Sequence, residues 1–363
     1  MFGAQKIIRQ EVPILVPKVP KYSEYLHYLD EIDANNTYSN FGPLNSRLIN
    51  NLASYMGLEG WQLQTVANAT LGIEGAIATS NISLTQKWAT PSWTFTATAA
   101  ACSRSGIDFQ FVDIEDSWRA DLGGHFAGLI DVLPFGDDLN FSRPYFDNLD
   151  CLIIDAAASF DSLKNIKIPD HIPIAILISL HATKCLPAGE GGVFITNSEE
   201  WANRFKSWSN FGMNESRISN LLGTNAKMSE INSAIALASL DKWENTKAEI
   251  QLRNSKAIAI TNKYDLSTTS ALEKNYATPY WIVKFKDSNQ KNKIRLAFKQ
   301  NSISTRDWWS SGCHNMPAYR NVPFKSLSKT NHAYEISLGL PFHHKLTEDY
   351  WTDVDSIFSS SLN

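Results

Sequence analysis

The chain has 363 residues, a formal net charge of −4 and a hydrophobic content of 43%. This length suffices for a large domain together with a smaller one. Charged residues make up only 19% of the chain, which excludes extensive disorder. The slight negative charge and the lack of any basic block argue against a nucleic-acid partner.

Targeting signals and metal motifs are not apparent. The start, Met1 to Lys6, has no long apolar run after its positive charge, so we predict no signal peptide. No stretch reaches the roughly 18 apolar residues that span a bilayer, so no membrane association is expected. The cysteines form no C-x-x-C pair and no His/Cys cluster with metal-ligand spacing. We therefore expect a cytoplasmic protein with reduced cysteines and no metal site; the cysteines are Cys102, Cys151, Cys185 and Cys313.

The first two thirds of the chain predict an α/β arrangement. Residues 1–37 are irregular apart from a helical stretch near 22–34, and residues 45–57 predict an amphipathic helix. Strand and helix patterns then alternate to about residue 200, which predicts a mostly parallel sheet covered on both faces. A long helix is predicted from Met228 to about Lys263.

The C-terminal part predicts a smaller α+β unit. Its pattern indicates a strand over Tyr280–Phe285, a helix over Asn289–Asn301 and a strand over Ile303–Arg306. No repeat and no low-complexity linker separates it from the rest. We therefore expect two packed domains, residues 1–245 and 246–363, with residues 1–37 packing on the smaller one.

A lysine close to a buried strand is the first candidate for chemistry. The apolar run Ile174–Ile178 predicts a strand, and Lys184 follows it. Ser179 lies five residues before the lysine, and the glycine-rich turn Gly189–Gly192 lies after it. This arrangement suits an aldehyde cofactor with a phosphate, because the amine would form a Schiff base and the hydroxyl would bind the phosphate. The ordinary alternative is a solvated lysine.

An aspartate strengthens this interpretation. Asp155 ends the apolar run Cys151–Ile154, 29 residues before Lys184. The carboxyl end of a buried parallel strand is where open α/β sheets bind ligands, and a buried carboxylate needs a partner. The pyridinium nitrogen of pyridoxal phosphate (PLP) would be that partner, and the acid would keep the ring protonated. The alternative is an N-cap of a following helix.

Seven short segments occur in order between about residues 38 and 345, and together they resemble one family. They are Asn40–Leu44, Val66–Thr70, Pro91–Thr98, Asp155–Ala157, Ser179–Lys184, Gly189–Gly192 and Gly223–Glu230. The chain resembles the DegT/DnrJ/EryC1/StrS family of PLP-dependent nucleotide-sugar aminotransferases, which have the aspartate aminotransferase (type I) fold. The resemblance implies a three-layer α/β fold, in which a large domain with a mostly parallel central sheet is joined to a smaller C-terminal α+β domain.

The resemblance also implies roles for the catalytic residues. Lys184 would bind PLP covalently and, once freed, would shuttle the substrate proton. Asp155 would pair with the pyridinium. Phe95 would cover a face of the ring, with a core phenylalanine as the alternative.

The phosphate of PLP would bind at a turn before a helix. This turn is formed by Asn68, Ala69 and Thr70, where backbone N–H groups and a hydroxyl can hold an anion. Ser179 would add a second hydroxyl. By resemblance, Asn225 would reach the phosphate across a dimer interface, so the resemblance implies a homodimer in which each active site needs two chains.

Three departures from the family concern substrate contacts more than the reaction. Ala158 stands where the family usually has a polar residue, often Gln or His, that helps to hold the ring substituents of the cofactor. In this chain water, Ser159 or the substrate would hold them. Ala226 replaces a common tyrosine, and Ser209 replaces an arginine. Lys184 is kept, whereas family members that dehydrate sugars have histidine there.

The resemblance implies a nucleotide-linked keto-deoxysugar as substrate and L-glutamate as amino donor. Basic residues can bind the diphosphate of such a substrate, and aromatic residues can stack on its nucleobase. The segment that resembles the family's substrate pocket contains residues of both kinds; they are Arg306, Trp308, Trp309, His314 and Tyr319. Core tryptophans and a structural histidine are the alternatives. We expect amination at the 4-position of dTDP-4-keto-6-deoxyglucose for surface glycan synthesis. The 3-position, a dehydratase and a non-catalytic sugar-nucleotide binder remain open.

Overall fold

A computed structural model describes residues 11–58, 60–140, 149–166 and 172–362. From the N-terminus, the chain forms α1 (Tyr22–Asn35), α2 (Pro43–Met56), β1 (Gln62–Val66), α3 (Ala69–Thr79), β2 (Lys87–Pro91), α4 (Thr96–Ser105), β3 (Asp108–Val112), β4 (Gly128–Val132), a 3₁₀ turn (Pro134–Gly136), β5 (Cys151–Asp155), β6 (Ile174–Ser179), β7 (Gly192–Thr196) and α5 (Glu199–Trp208). It continues with α6 (Glu230–Asp241), α7 (Trp243–Lys263), α8 (Ser270–Glu273), β8 (Trp281–Lys284), α9 (Ser288–Gln300), two 3₁₀ turns (Cys313–Asn315 and Pro317–Tyr319), α10 (Ser328–Ile336), β9 (Ser337–Leu340) and α11 (Glu348–Leu362). The α/β fold class is confirmed.

The central sheet has seven strands in the order β1-β7-β6-β5-β4-β2-β3. Only β7 runs against its neighbours, β1 and β6, so the sheet is mostly parallel, as predicted. Every residue of β5 and β6 is buried, because helices cover both faces of a parallel sheet and leave no solvent-facing row. The carboxyl ends of β5 and β6 therefore lie side by side, with Asp155 paired with Leu177.

The C-terminal part has its own sheet and core. Strands β8 and β9 pair antiparallel, and Trp281, Phe298 and Phe358 lie in one buried cluster there. Near the N-terminus, Val12 forms a bridge with Ile303. Helix α1 packs against α6. The boundary near residue 245 and the placement of residues 1–37 stay predictions, and residues 1–10 lie outside the described residues.

Two predicted elements were wrong in detail. The long helix breaks at Lys242 into α6 and α7, and the break places Trp243 edge-on against Phe160, with 4.8 Å between ring centroids. The expected strand at Ile303–Arg306 makes only single bridges, because its two ends pair with different partners, Val12 and Gly339. None of the helices in the described ranges is long and apolar enough to cross a membrane.

Candidate active site

Asp155 is a buried carboxylate held in place from two sides. It is the last residue of β5 and is only 6% exposed. Its Oδ2 accepts a hydrogen bond of 2.6 Å from the hydroxyl of Thr98, and its Oδ1 accepts one of 3.1 Å from the N–H of Ala157. The residues after it, up to Ile166, form turns and no helix, so Asp155 caps no helix there. Burial raises the pKa of Asp155, although Thr98, Ala157 and the charge of Lys184 oppose that rise.

Lys184 lies in the turn after β6, where its N–H donates to the carbonyl of His181. Its Nζ donates a hydrogen bond of 3.0 Å to the hydroxyl oxygen of Tyr280. Burial alone would lower the pKa of Lys184. Tyr280 and the charge of Asp155 outweigh burial and hold that pKa above its ordinary value. The structure therefore brings Lys184 and Asp155 into one electrostatic environment.

Tyr280, which contacts Lys184, was not predicted as a site residue from the sequence. It directly precedes β8, and its ring meets the rings of Phe135 and Trp308 edge-on, with centroid distances of 5.5 and 4.9 Å. The sequence predicted a strand starting at Tyr280, but no pattern in it indicated that the hydroxyl of Tyr280 would contact Lys184. The alternation of side chains along a strand places Tyr280 and Ile282 on the same face. Ile282 packs in the same cluster as Phe135, so this alternation was the only indication that Tyr280 lies in that cluster.

The turn before α3 has the geometry of an anion site. Asn68 is the N-cap of α3, and its Oδ1 accepts a hydrogen bond of 2.9 Å from the N–H of Leu71. Asn68, Ala69 and Thr70 are all partly exposed, so the first N–H groups of the helix lie at an open end. These groups and the positive end of the helix dipole attract anions.

Ser179 lies two strands away from this turn. It pairs with Gly192 of β7, which in turn pairs with Val66 at the end of β1. A Cβ on Gly192 would lie 2.9 Å from the backbone nitrogen of Ala69, so the turn folds closely over this glycine. The Oγ of Ser179 accepts a hydrogen bond from the N–H of His181, which leaves the hydroxyl hydrogen available for a ligand.

Phe95 and Asn225 are both exposed. Phe95 is the N-cap of α4 and is 58% exposed, so it is not a core residue. Asn225 forms a bridge with Asn210, and the next residue, Ala226, accepts a hydrogen bond from Ala67 beside the turn. Both side chains are therefore accessible to a ligand or to another chain.

The substrate residues expected around position 308 are connected to Lys184 through aromatic contacts. The guanidinium of Arg306 is exposed and lies 4.8 Å from the ring centroid of Trp308, which contacts Tyr280. Trp309 stacks on Phe135 with 4.2 Å between centroids and an angle of 12° between rings. Both tryptophans are half-buried and so are partly accessible to solvent.

His314 and Tyr319 are held by a different part of the chain. The Nδ1 of His314 lies 2.8 Å from the hydroxyl of Ser92, and burial lowers the pKa of this imidazole although Asp113 opposes it. The hydroxyl of Tyr319, a buried residue, lies 2.8 Å from that of Thr96. These bonds favour a structural role for both residues.

The residues present fit PLP. A buried carboxylate matches a protonated ring nitrogen, an amine matches an aldehyde, and a helix N-terminus with a nearby hydroxyl matches a phosphate. Asp155, Lys184 and the turn at Asn68 supply these groups at or after the carboxyl ends of β5, β6 and β1, three strands of one sheet.

The chain is similar to several known proteins. The chain is 28% identical over 250 residues to Protein Rv3402c of Mycobacterium tuberculosis, which is 63% of this chain and 60% of that protein. It is 28% identical over 258 residues to a dTDP-4-amino-4,6-dideoxy-D-glucose transaminase of Shigella dysenteriae, which is 64% of this chain and 66% of that protein. The chain thus spans less than two thirds of the length of these relatives.

A solved structure from Bacillus cereus, described as a PLP-dependent aminotransferase, superposes with a TM-score of 0.86 at 25% identity and covers 96% of this chain and 100% of that one. The sequence profile of one family matches residues 21–122 and 151–359, which include both Asp155 and Lys184. On this match, the chain belongs to the DegT/DnrJ/EryC1/StrS aminotransferase family.

Proposed function

We propose that the protein is a PLP-dependent aminotransferase that moves an amino group from L-glutamate to a nucleotide-linked keto-deoxysugar. The observation that carries this proposal is the pair of Lys184 and Asp155, which lie near the ends of adjacent buried strands and influence each other's charge. Burying charged groups costs more free energy than burying apolar residues of similar size, so this pair favours a chemical role over a packing role.

The same geometry supports an assignment of the residues that would hold PLP. Asp155 would bind the ring nitrogen, Lys184 the aldehyde carbon, and the turn from Asn68 to Thr70 together with Ser179 the phosphate. Bound PLP acts as an electron sink that lowers the barrier to proton removal at the neighbouring carbon. The exposed ring of Phe95 would lie against one face of the cofactor.

Lys184 would also carry the proton of the reaction. A raised pKa means that its free amine is protonated at neutral pH. The amine of Lys184, once released, would therefore take the proton from the reacting carbon of the substrate at Nζ, hold it as the ammonium ion, and deliver the same proton to the aldehyde carbon of the cofactor. A single positioned group then performs both proton steps of an amino transfer.

A second copy of the chain is part of the proposal. Asn225 is exposed but lies beside the turn that would hold the phosphate. Exposed apolar residues occur in the same loop; they are Phe211, Ile218 and Leu222. A homodimer would cover this surface and would let Asn225 of one copy contribute to the phosphate site of the other.

We further propose that the substrate is dTDP-4-keto-6-deoxyglucose, aminated at its 4-position for surface glycan synthesis. The name of the Shigella relative supports this choice. Arg306 over Trp308 offers a cation and an aromatic face, which suit a diphosphate and a base. The unpaired cysteines suit the reducing cytoplasm as the place of the reaction.

An absorbance experiment tests the proposed function. Protein mixed with PLP should gain the visible absorbance of lysine-bound PLP, and glutamate should convert it to that of the aminated cofactor. Keto-sugar nucleotides can then be ranked by how well they restore the first spectrum, with dTDP-4-keto and dTDP-3-keto sugars compared directly. Lys184→Ala should bind PLP without the visible band, while Lys263→Ala, at an exposed ion pair with Asp355, should behave like the unmodified protein.

Three outcomes would change the proposal. A protein that gains no band would be a binding protein and no PLP enzyme. A band that ignores glutamate would point to another amino donor or reaction. Restoration by the 3-keto sugar alone would move the amination to the 3-position.

A further inference from the structure

We propose that Tyr280 is a positioning residue for Lys184: its hydroxyl holds the free amine in place and thereby sets how readily the lysine attaches to PLP. The proposal rests on the proposed function and adds to it a residue and a role. Its basis is the 3.0 Å hydrogen bond from the Lys184 Nζ to the Tyr280 hydroxyl oxygen.

The tyrosine can position the lysine because its own ring is fixed. Phe135 and Trp308 meet it edge-on. The backbone N–H of Tyr280 donates to the hydroxyl of Thr278, which itself donates a 2.6 Å bond to the carbonyl of Phe135. Thr278 is fully buried. The phenol oxygen is therefore presented to Lys184 by several contacts that do not depend on the lysine.

The backbone next to this contact is also constrained. Phe135 has a φ of 57°, in the left-handed region that large residues rarely adopt. Trp309, which stacks on Phe135, has a φ of 64°. Such conformations persist only where surrounding packing determines them, and they concentrate at functional sites. The packing of the aromatic cluster around Tyr280 is therefore tight enough to keep two large residues in strained backbone conformations, and it fixes the position of Tyr280.

Protonation links this geometry to reactivity. The titratable groups that face Lys184 are Tyr280, Asp155 and Cys185. Tyr280 and Asp155 both favour the charged amine, whereas only the neutral amine can attack an aldehyde. Each unit by which the pKa rises leaves about tenfold less neutral amine at a given pH below it. The hydroxyl of Tyr280 therefore aims the amine and, at the same time, restrains its attachment.

Tyr280→Phe is the direct test, because it removes the hydroxyl and keeps the ring in its aromatic contacts. The measurement is the rate of PLP attachment to the apoprotein as a function of pH, followed by the visible band and located by borohydride reduction and mass spectrometry. We expect the pH profile to move down by about one unit, so that attachment near pH 7 is about tenfold faster. Tyr276→Phe is the matched control, since its hydroxyl donates to Asp138 and should leave the profile unchanged.

The outcomes separate the inference from the proposed function. Lack of attachment in the unmodified protein would overturn both. Attachment with the same pH profile in Tyr280→Phe and the unmodified protein would overturn the inference alone. Should Tyr280→Phe fail to fold, competitive labelling of the unmodified apoprotein with trace acetic anhydride gives a second reading: a midpoint for Lys184 at or below the ordinary lysine value of 10.5 would contradict the proposal.

Discussion

The hydroxyl of Thr98 donates a hydrogen bond of 2.6 Å to the Oδ2 of Asp155 and joins helix α4 to the end of β5. Thr98 is fully buried, and its oxygen lies 2.8 Å from the hydroxyl of Thr94. Since the hydrogen of Thr98 is given to the carboxylate, Thr94 must be the donor in the second bond. Two threonines thus form a directed chain that ends on the carboxylate and favours its charged form.

Thr98→Val should weaken PLP binding about tenfold. A hydrogen bond to a charged group contributes about 1.5 kcal/mol, and its loss makes the ionised Asp155, which the ring nitrogen needs, less stable. A PLP titration of the apoprotein measures the change. Thr94→Val removes only the more distant link and should cost less than Thr98→Val. Equal effects of the two variants would contradict the directed chain.

Asp155→Asn should stabilise the apoprotein at neutral pH. Burial raises the pKa of Asp155, so folding takes up a proton between the unfolded and the folded pKa. Stability therefore falls as pH rises through this window, which begins near the ordinary value of 3.8 and extends upward. The asparagine variant lacks this loss and should melt at a higher temperature than the unmodified protein at pH 7.

The difference in melting temperature should shrink as the pH is lowered toward 4. Asp30→Asn, on an exposed position of α1, is the control and should give no comparable pH-dependent difference. A gap between Asp155→Asn and the unmodified protein that stays constant with pH would show that Asp155 carries no such cost. We expect the Asp155→Asn apoprotein to be more stable but no longer to gain the absorbance of bound PLP, because the buried carboxylate serves function at the expense of stability.

The strand ends could be predicted from the sequence because buried parallel strands are continuous apolar runs. The end of each run marks the end of its strand, so the positions of Asp155 at the end of β5 and Ser179 at the end of β6 could be predicted. The contacts of Tyr280 with Lys184 and of Thr98 with Asp155 could not be predicted, since they join residues 96 and 57 positions apart. Such contacts depend on how elements pack, and no local pattern records them.

The break between α6 and α7 at Lys242 also could not be predicted from the sequence. No proline or glycine lies there, and the apolar pattern continues across it. The helix ends because Trp243 is buried against Phe160 and donates its indole N–H to Tyr55. Tertiary packing therefore overrides the local helical pattern of the sequence.

Phe95→Ala should affect PLP binding but hardly affect stability. The ring is 58% exposed, so its removal leaves no cavity, and the unfolding free energy should change by less than about 0.5 kcal/mol. Phe111→Ala is the contrast, because that ring is buried and its loss should cost about 3 to 5 kcal/mol. Urea unfolding and a PLP titration of both variants separate the two effects. A large loss of stability in Phe95→Ala would restore the interpretation as a core residue.

Gly192→Ala should disturb the turn that would hold the phosphate. The added Cβ would lie 2.9 Å from the backbone nitrogen of Ala69 and 3.0 Å from the backbone carbon of Asn68, so the start of α3 would have to move. Forced packing of this kind costs about 1 to 3 kcal/mol, and the shifted N–H groups should weaken binding of PLP more than binding of pyridoxal, which lacks the phosphate. Gly123→Ala is the matched control, because a Cβ there meets nothing within 4 Å. Equal losses for PLP and pyridoxal in Gly192→Ala would mean that this turn does not bind the phosphate.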